Sequence, residues 1–425
     1  MVCGGAYGTE DIVRGWGYGR ALIILALTPL IWALPVSLMV GELSSSLPAE
    51  GGFYAWVRAG VGDFWGFQEA WLSLAASIFD MAIYPALFIA YLERLAPWVG
   101  EEHHGLMIGL AMIVVCTALN LAGIHTVGIT SFWLFLVISG PFALIVLMAP
   151  FKAGMLAHAA SPPVTTSVGL LGGTLVAMWN YMGWDNASTV AQEVEDPQRN
   201  YPRAMVAAAA LAAVTYILPL AAMAVAGLSV SSFSTGDWMT AANALAGPWL
   251  GLAVVAGGVL CGVGMFNALM LSYTRLPMAM AEDGMLPSAF ARRNRRGVPW
   301  VSVLLCGLAW ALALKLPFER LISIDLILYG TSLMLEFVAL IVLRIREPEM
   351  KRPFRAGNLP FACALSVGPA VLLGYAIYAA RGEKLMGSVS ALLFAVVVAL
   401  LGPLLYWLTA VPLARRRPVA MPAPE

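Results

Sequence analysis

The sequence predicts an all-α integral membrane protein, and three observations support this fold class. Hydrophobic residues make up 60% of the 425 residues, charged residues only 11%, and the formal net charge is zero. A soluble domain carries about 25% charged residues, so this chain has too little polar surface for water. The apolar residues fall into runs of roughly twenty, the length of a helix that spans the hydrocarbon core. This composition excludes a soluble α/β fold and gives no support for nucleic-acid binding.

Eleven apolar runs are predicted to span the membrane, and a half-length apolar segment, 1–15, precedes them. The runs are 19–44, 65–95, 105–124, 126–150, 168–190, 203–228, 247–281, 299–316, 320–345, 359–380 and 386–411. The segments between them are too short to fold as separate domains. With 1–15 running outward, two thirds of the 24 Lys and Arg residues lie on the side of the C-terminus. Positively charged loops stay in the cytoplasm, so we predict a multi-pass protein of the cell membrane with a cytoplasmic C-terminus.

Carboxylates lie deep within the predicted spans, whereas no Lys or Arg does. They are Glu69, Asp80, Asp185, Asp325 and Glu336, with Glu10 in the short segment before the first full span. An ionised side chain at mid-bilayer costs about 2.5–3.5 kcal/mol on insertion scales, so each carboxylate needs a reason. Because no basic side chain lies at that depth, the partner must be a proton, a metal ion or a cationic substrate.

Two segments carry a helix-breaking glycine followed two residues later by an acid. Gly8 precedes Glu10 in the first segment, and Gly183 precedes Asp185 in the run 168–190. Interrupted helices at corresponding positions of two halves are typical of an inverted-repeat transporter with its site at the midplane. Glycines in membrane helices also serve close packing. Two matching clusters, each with an acid, favour a binding site lined by unwound backbone.

Four stretches that include these breaks carry a resemblance to a known family: 4–11, 41–53, 64–85 and 184–197. At these residues the chain resembles the amino acid–polyamine–organocation superfamily, and most of all its branch of polyamine uptake and L-type amino acid transporters. The resemblance implies the LeuT-type fold, in which five helices are repeated in inverted orientation and two further helices follow. It also implies uptake driven by a proton gradient, or exchange of substrates.

The implied fold divides the chain into a first repeat at 1–150, a second repeat at 151–345 and two additional helices at 346–411. Residues 412–425, rich in Pro and Arg, are predicted to form a disordered cytoplasmic tail. Members of the family begin with a cytoplasmic segment and the first half of helix 1. This chain starts at the unwound centre, so we expect that half-helix to be missing, through a misassigned start or as a fragment. Some relatives carry a lysine in the fifth helix, but the run 126–150 has none, so that proton-coupling device is absent.

The predicted substrate site lies where the two breaks meet the span 65–95. The candidates for substrate binding are Gly4, Gly5, Gly8, Glu10, Asp80, Tyr84, Tyr181, Trp184, Asp185 and Asn267. Glu10 either binds a substrate ammonium group, as the Glu of the family motif implies, or complements the dipole of a half-helix capped by Thr9. Asp80 shares a helical stripe with Tyr84, and it either faces the cavity or forms a buried helix–helix hydrogen bond.

Aromatic residues surround the second break, and one of them is expected to cover the substrate through a cation–π contact worth about 0.5–2 kcal/mol. Trp179 precedes the break, so we favour Tyr181 or Trp184 for this contact.

Glu10 and Asp80 are the candidates for proton coupling. Arg14 and Asp325 are expected to form an external gate, as similarly placed residues do in the fold that the resemblance implies. Glu42 and Glu69 lie near cytoplasmic helix ends and are expected to stabilise a closed inner gate. We expect no cofactor and no metal, because an adjacent histidine pair at 103–104 does not by itself make a metal site.

We therefore predict a secondary active transporter that takes up a cationic amine with protons, such as putrescine, agmatine or a basic amino acid. A neutral amino acid permease or exchanger of the same fold is the alternative, since half-helix N-termini can bind a carboxylate. Short loops and the absence of a His-Glu-x-x-His motif argue against a membrane-embedded enzyme. Breaks at the midplane argue against a channel.

Overall fold

The chain folds almost entirely into α-helices in the computed structural model, which describes residues 5–123, 127–155, 170–233, 236–316, 318–386 and 389–415. The first seven helices are α1 Glu10–Thr28, α2 Leu34–Ser46, α3 Phe53–Val61, α4 Asp63–Glu93, α5 Glu102–Leu121, α6 Val127–Met148 and α7 Leu170–Asn180. The next eight are α8 Pro197–Ala226, α9 Trp238–Ala246, α10 Pro248–Glu282, α11 Trp300–Leu312, α12 Phe318–Arg346, α13 Leu359–Ala380, α14 Ala391–Leu408 and α15 Ala410–Arg415. The all-α fold class is therefore confirmed.

Nine helical segments within the described ranges are long and apolar enough to cross a membrane, which confirms a multi-pass membrane protein. Two of the predicted runs correspond to shorter helices. The run 168–190 contains α7, which stops at the predicted break, and the run 299–316 contains α11, whose last residues continue as a 3₁₀ turn, Ala313–Lys315.

Helical structure continues from Glu10 to Ser46, across the predicted boundary between the segment 1–15 and the run 19–44. Gly17 interrupts this stretch with φ 73° and ψ 166°, a conformation that glycine adopts far more readily than other residues. A π-helical turn at Pro29–Ala33 then joins α1 to α2, because proline has no N–H for the regular helical bond. The predicted boundary between two segments therefore corresponds to a local interruption at Gly17 within one helical stretch.

The long helix α4 lies at the centre of the bundle and packs against α10 and α12. Within the most apolar part of each span, 72% of α4 and 67% of α12 is buried, against 22% of α13 and 17% of α14. The outer helices α13 and α14 therefore form the periphery, where exposed leucine and valine side chains suit contact with lipid. Most of the buried carboxylates lie on the two central helices.

The chain after α13 differs in detail from the prediction. Two short antiparallel strands, β1 Lys384–Met386 and β2 Val389–Ser390, precede α14, so this span begins five residues after the predicted start at 386. The Ser390 hydroxyl accepts a hydrogen bond from the N–H of Leu393 and caps the helix. Residues 412–415 belong to α15, and the rest of the predicted tail lies outside the described residues.

Candidate functional site

Both predicted breaks are present, and each is made by a glycine in the left-handed region. Gly8 and Gly183 both have φ 84°, which side chains with a Cβ rarely adopt. Glu10 begins α1 immediately after the first break. Asp185 begins a 3₁₀ segment, Asp185–Glu193, immediately after the second. Thr9 does not cap α1 with its side chain, because its hydroxyl donates back to the carbonyl oxygen of Ala6 at 2.6 Å.

A cavity of about 220 Å³ lies between the two breaks, α4 and α10. It is lined by Gly5, Tyr7, Asp80, Tyr84, Leu87, Trp179, Asn180, Met182, Gly183, Trp184, Asn186, Ala187, Tyr216, Cys261, Met265, Ala268, Leu269, Leu271, Ser272 and Tyr273. Four of the predicted candidates are in this lining: Gly5, Asp80, Tyr84 and Trp184. Gly4 lies outside the described residues.

Asp80 is the carboxylate that faces this cavity, and it is only 4% exposed. Its oxygens accept hydrogen bonds from the Tyr84 hydroxyl at 3.2 Å, the Trp179 indole at 3.2 Å and the Tyr273 hydroxyl at 3.1 Å. Both interpretations of Asp80 therefore describe real features, since it faces the cavity and also bonds across to α10. Among the described residues in the lining, it is the only carboxylate, and none is Lys or Arg.

Six aromatic side chains form much of the cavity wall. They are Tyr7, Tyr84, Trp179, Trp184, Tyr216 and Tyr273. Trp179 points into the cavity although it precedes the break, and its ring centroid lies 6.2 Å from that of Tyr84. Tyr181 does not line the cavity, because its hydroxyl donates to the carbonyl oxygen of Leu25 at 2.9 Å and its ring packs edge-on against Tyr216. Once the helix unwinds, helical periodicity no longer tells which side chain faces inward.

Asp185 lies at the second break but outside the cavity lining. Its carboxylate accepts a hydrogen bond from the Tyr329 hydroxyl at 2.5 Å, and that hydroxyl accepts one from the N–H of Gly183 at 3.2 Å. Tyr329 on α12 thus holds both sides of the unwound segment. The Asp185 carboxylate also interacts electrostatically with Asp80.

Glu10 is fully buried and does not line the cavity. Its carboxylate accepts a hydrogen bond from the Tyr91 hydroxyl of α4. It also lies within electrostatic reach of Tyr7, which does line the cavity. In this structure Glu10 is therefore one layer behind the wall, and substrate binding by Glu10 stays a prediction.

Two other predicted residues serve helix packing in this structure. Asn267 accepts a hydrogen bond from the Asn120 amide at 2.7 Å, which joins α10 to α5. A Cβ added at Gly8 would come within 3.1 Å of the Trp179 ring, so this glycine gives the indole its space. Neither residue is in the cavity lining.

Arg14 and Asp325 do not form an ion pair in the part of the chain that the structure describes. Asp325 is 1% exposed and both its oxygens lack a hydrogen-bond partner among the described residues. It instead interacts electrostatically with Asp80 and Asp185. The external gate between Arg14 and Asp325 stays a prediction.

Several cavity residues were missed by the sequence reasoning, and Asn186 and Ser272 are the most informative. The Ser272 hydroxyl of α10 donates to the carbonyl oxygen of Asn186 at 2.6 Å, and the Asn186 amide donates to the Tyr273 hydroxyl at 3.3 Å. These bonds hold the chain after the second break against α10. The signal available was the position of Asn186 next to Asp185, in the stretch that carries the family resemblance.

Replacing Glu10 with Gln tests whether this carboxylate reaches the substrate in any state. From its place behind the wall, we expect Glu10→Gln to weaken binding of the predicted amine substrate by well under 1 kcal/mol, since Gln can still accept the bond from Tyr91. Binding, counterflow and gradient-driven uptake should be measured on this one variant. A loss of binding by two decades would instead show that Glu10 binds the ammonium group. Loss of gradient-driven uptake alone would assign it to proton coupling.

Comparisons with known proteins agree with the resemblance seen in the sequence. The family model described as amino acid permease matches residues 1–407. Polyamine transporter RMV1 of Arabidopsis thaliana is 31% identical over 378 residues, which cover 88% of this chain and 76% of the relative. Polyamine transporter PUT1 of Oryza sativa subsp. japonica is 33% identical over 386 residues, covering 88% and 70%. An uncharacterized transporter of Legionella pneumophila is 28% identical over 374 residues, covering 80% and 78%.

Proposed function

Because this chain belongs to the amino acid permease family and is therefore a membrane transporter, we propose that its substrate is a cationic amine whose ammonium group binds Asp80. The observation that carries the proposal is the charge of the cavity. Asp80 is the single carboxylate among the described lining residues, and no basic side chain there neutralises it. A buried charge needs a partner, and a substrate ammonium group would supply one.

The aromatic wall supports the same substrate class. Trp179 and Tyr84 both donate hydrogen bonds to Asp80 and both line the cavity. Their rings therefore lie beside any cation that reaches the carboxylate. A cation over an aromatic face gains about 0.5–2 kcal/mol, more when water is excluded. Two relatives are named polyamine transporters, and polyamines are cations of this kind.

A neutral amino acid is the second candidate, because its carboxylate could bind at the N-terminus of a broken helix. The charges at these helix starts oppose it. Glu10 and Asp11 occupy the first turn of α1, and Asp185 occupies the first turn of the 3₁₀ segment. Acids at these positions already complement the positive end of the dipole, so an amine fits the site better than a carboxylate does.

The direction and the energy source of transport are part of the same proposal. Buried acids without basic partners favour protons as the coupling ion, so we propose proton-coupled uptake across the cell membrane with a cytoplasmic C-terminus. The matching breaks at Gly8 and Gly183 support the LeuT-type arrangement of two inverted repeats at 1–150 and 151–345.

Ligand binding to the purified chain in detergent tests the substrate class. Putrescine, agmatine and lysine should each displace a radiolabelled putrescine probe, whereas leucine should not. Liposomes with and without an imposed pH gradient then test coupling. An exterior more acidic than the interior should increase putrescine accumulation, and the opposite gradient should decrease it. Saturable binding of radiolabelled leucine, with no binding of putrescine, would replace the amine with a neutral amino acid.

A further inference from the structure

Two more buried carboxylates, Glu69 and Glu336, lie outside the cavity and are not used by the proposed amine site. Glu69 is on α4 and Glu336 on α12, and both residues are 0% exposed. The Glu336 carboxylate lies within electrostatic reach of the Glu69 carboxylate. The sequence suggested only that Glu69 stabilises an inner gate, and it gave Glu336 no role.

These residues belong to two polar stripes that face each other on the central helices. On α4 the stripe runs Glu69, Ser73, Ser77, Asp80 and Tyr84, and on α12 it runs Asp325, Tyr329, Ser332 and Glu336. Steps of three and four residues keep each stripe on one helix face. Asp325 interacts with Asp80, and Glu336 with Glu69, so the two helices run antiparallel. The two pairs are about 16 Å apart along the helices.

The Glu69–Glu336 pair lacks the donors that an ionised carboxylate requires. The Ser73 hydroxyl donates to Glu69 Oε1 at 2.8 Å. Glu69 Oε2 and both oxygens of Glu336 have no hydrogen-bond partner among the described residues. Asp80, in contrast, accepts three hydrogen bonds, which suits a group that only accepts.

Basic side chains on the adjoining elements are engaged elsewhere. Arg58 of α3 pairs with Asp63 and Asp283, Arg344 pairs with Glu42, and Arg346 donates to the carbonyl oxygen of Gly60. The charged group that does face the pair is another acid, Asp185, from the 3₁₀ segment after the second break. Tyr329 of α12 also faces Glu336.

Two carboxylates buried together without a cation cannot both be ionised. At least one of them must therefore carry a proton. Within the described residues, no group of three or more His, Cys, Asp or Glu side chains is placed to hold a metal ion. Of the cations considered, a proton is therefore the one that best fits this pair of carboxylates.

We propose that Glu69 and Glu336 form a proton-binding site, separate from the amine site at Asp80, and that it holds the proton coupled to transport. The step is a proton transfer alone: the pair takes one proton from water on one side of the membrane and releases it to water on the other. The coupling role rests on the proposed amine transport, whereas the presence of the proton does not.

Asp185 connects this site to the cavity through electrostatic interactions and hydrogen bonds. It interacts electrostatically with both members of the pair and with Asp80. Through Tyr329 it is also bonded to the N–H of Gly183, at the break itself. Loss of the proton increases repulsion on Asp185 and so acts on the unwound segment that borders the amine. Binding of the amine must influence the proton by the same factor.

Infrared spectroscopy tests for the proton without any substrate. The purified protein at neutral pH should show the band of a protonated carboxyl, and the double variant Glu69→Gln/Glu336→Gln should lose part of it. Glu349→Gln, which changes an exposed glutamate beyond the end of α12, is the matched control and should leave the band unchanged. A difference spectrum that contains only ionised carboxylate bands would overturn the proton site.

Transport in liposomes tests the coupling. We expect the rate of putrescine counterflow in the double variant to stay within about threefold of the wild-type rate. Accumulation driven by a pH gradient should fall at least tenfold below the wild-type level. Glu336→Asp, which keeps a carboxyl, should retain gradient-driven accumulation. Gradient-driven accumulation at the wild-type level in the double variant would overturn the proposal, and so would a folded variant that loses counterflow as well.

Misfolding of the variant and failure of the proposed amine function can each be told apart from failure of the proton site. If the double variant does not fold, as judged by its thermal unfolding, the single variant Glu336→Gln takes its place in both experiments. If the wild type neither binds nor exchanges putrescine, the proposed amine function fails, while the infrared result still decides whether the pair holds a proton.

Discussion

Asp80→Asn is expected to weaken amine binding by at least two orders of magnitude. The substitution keeps the size of the side chain and removes its charge, so the ammonium group would enter a buried site without a counter-charge. Removing one partner of a buried ion pair costs about 3–5 kcal/mol, and each 1.4 kcal/mol corresponds to a factor of ten in affinity. No other carboxylate among the described lining residues can take over.

Equilibrium binding of putrescine to purified wild type and variant measures this effect directly. Glu93→Gln is the matched control, because it neutralises an exposed carboxylate at the end of the same helix. Asp80→Glu keeps the charge and should retain more binding than Asp80→Asn. If folded Asp80→Asn bound putrescine within threefold of wild type, Asp80 would be a helix–helix contact to Tyr273 and the amine site would lie elsewhere.

The breaks and Asp80 could be predicted from the sequence because each depends on local chemistry. Gly8 and Gly183 are read from an interrupted apolar run, and their positive φ explains why glycine stands there. Asp80 could be singled out because a lone acid at mid-span has a high cost. In these three cases the sequence pattern and the structural reason coincide.

The wall of the cavity could not be predicted in the same way. At an unwound segment the side-chain directions follow tertiary contacts, so Tyr181 turned towards Leu25 while Trp179 turned towards Asp80. The same reason places Glu10 against Tyr91, on a helix that is distant in sequence. Such choices depend on which helices meet.

The facing of the two polar stripes on α4 and α12 also could not be predicted without the fold. Each stripe is readable on its own helix, but the two helices are separated by more than 200 residues of chain. Only the antiparallel packing of α4 on α12 brings Glu69 and Glu336 together. The sequence showed unpaired acids, and the structure shows which of them lie on helices that pack together.

A second large effect is expected at Glu42 and Arg344, where a buried ion pair joins α2 to the end of α12. Their side chains are 1% and 2% exposed, and Arg344 Nε donates to Glu42 Oε1 at 2.8 Å while Nη2 donates to Oε2. Arg344 also donates to the carbonyl oxygens of Ala356, Gly357 and Asn358, before α13. The pair therefore holds three chain segments at one point.

Glu42→Gln should destabilise the protein by about 3–5 kcal/mol, because it leaves the Arg344 guanidinium buried with only neutral acceptors. Arg344→Met should cost a similar amount, since it leaves the Glu42 carboxylate with the N–H of Ala356 at 2.7 Å and the more distant Arg352 at 3.6 Å. Thermal and denaturant unfolding of the purified protein measure both. Glu347→Gln, an exposed glutamate in the same segment, should change stability by less than about 0.5 kcal/mol.

The double variant Glu42→Gln/Arg344→Met separates a charge effect from a packing effect. If the single losses come from a buried charge without a partner, removing both charges should restore part of the stability, and the two effects will not add. Strict additivity would mean that each side chain acts through its own packing and backbone bonds. Because the pair ties α2 to α12, and α12 also carries Glu336 and Tyr329, a non-additive result would link the stability of this end of the bundle to the helix that borders the second break.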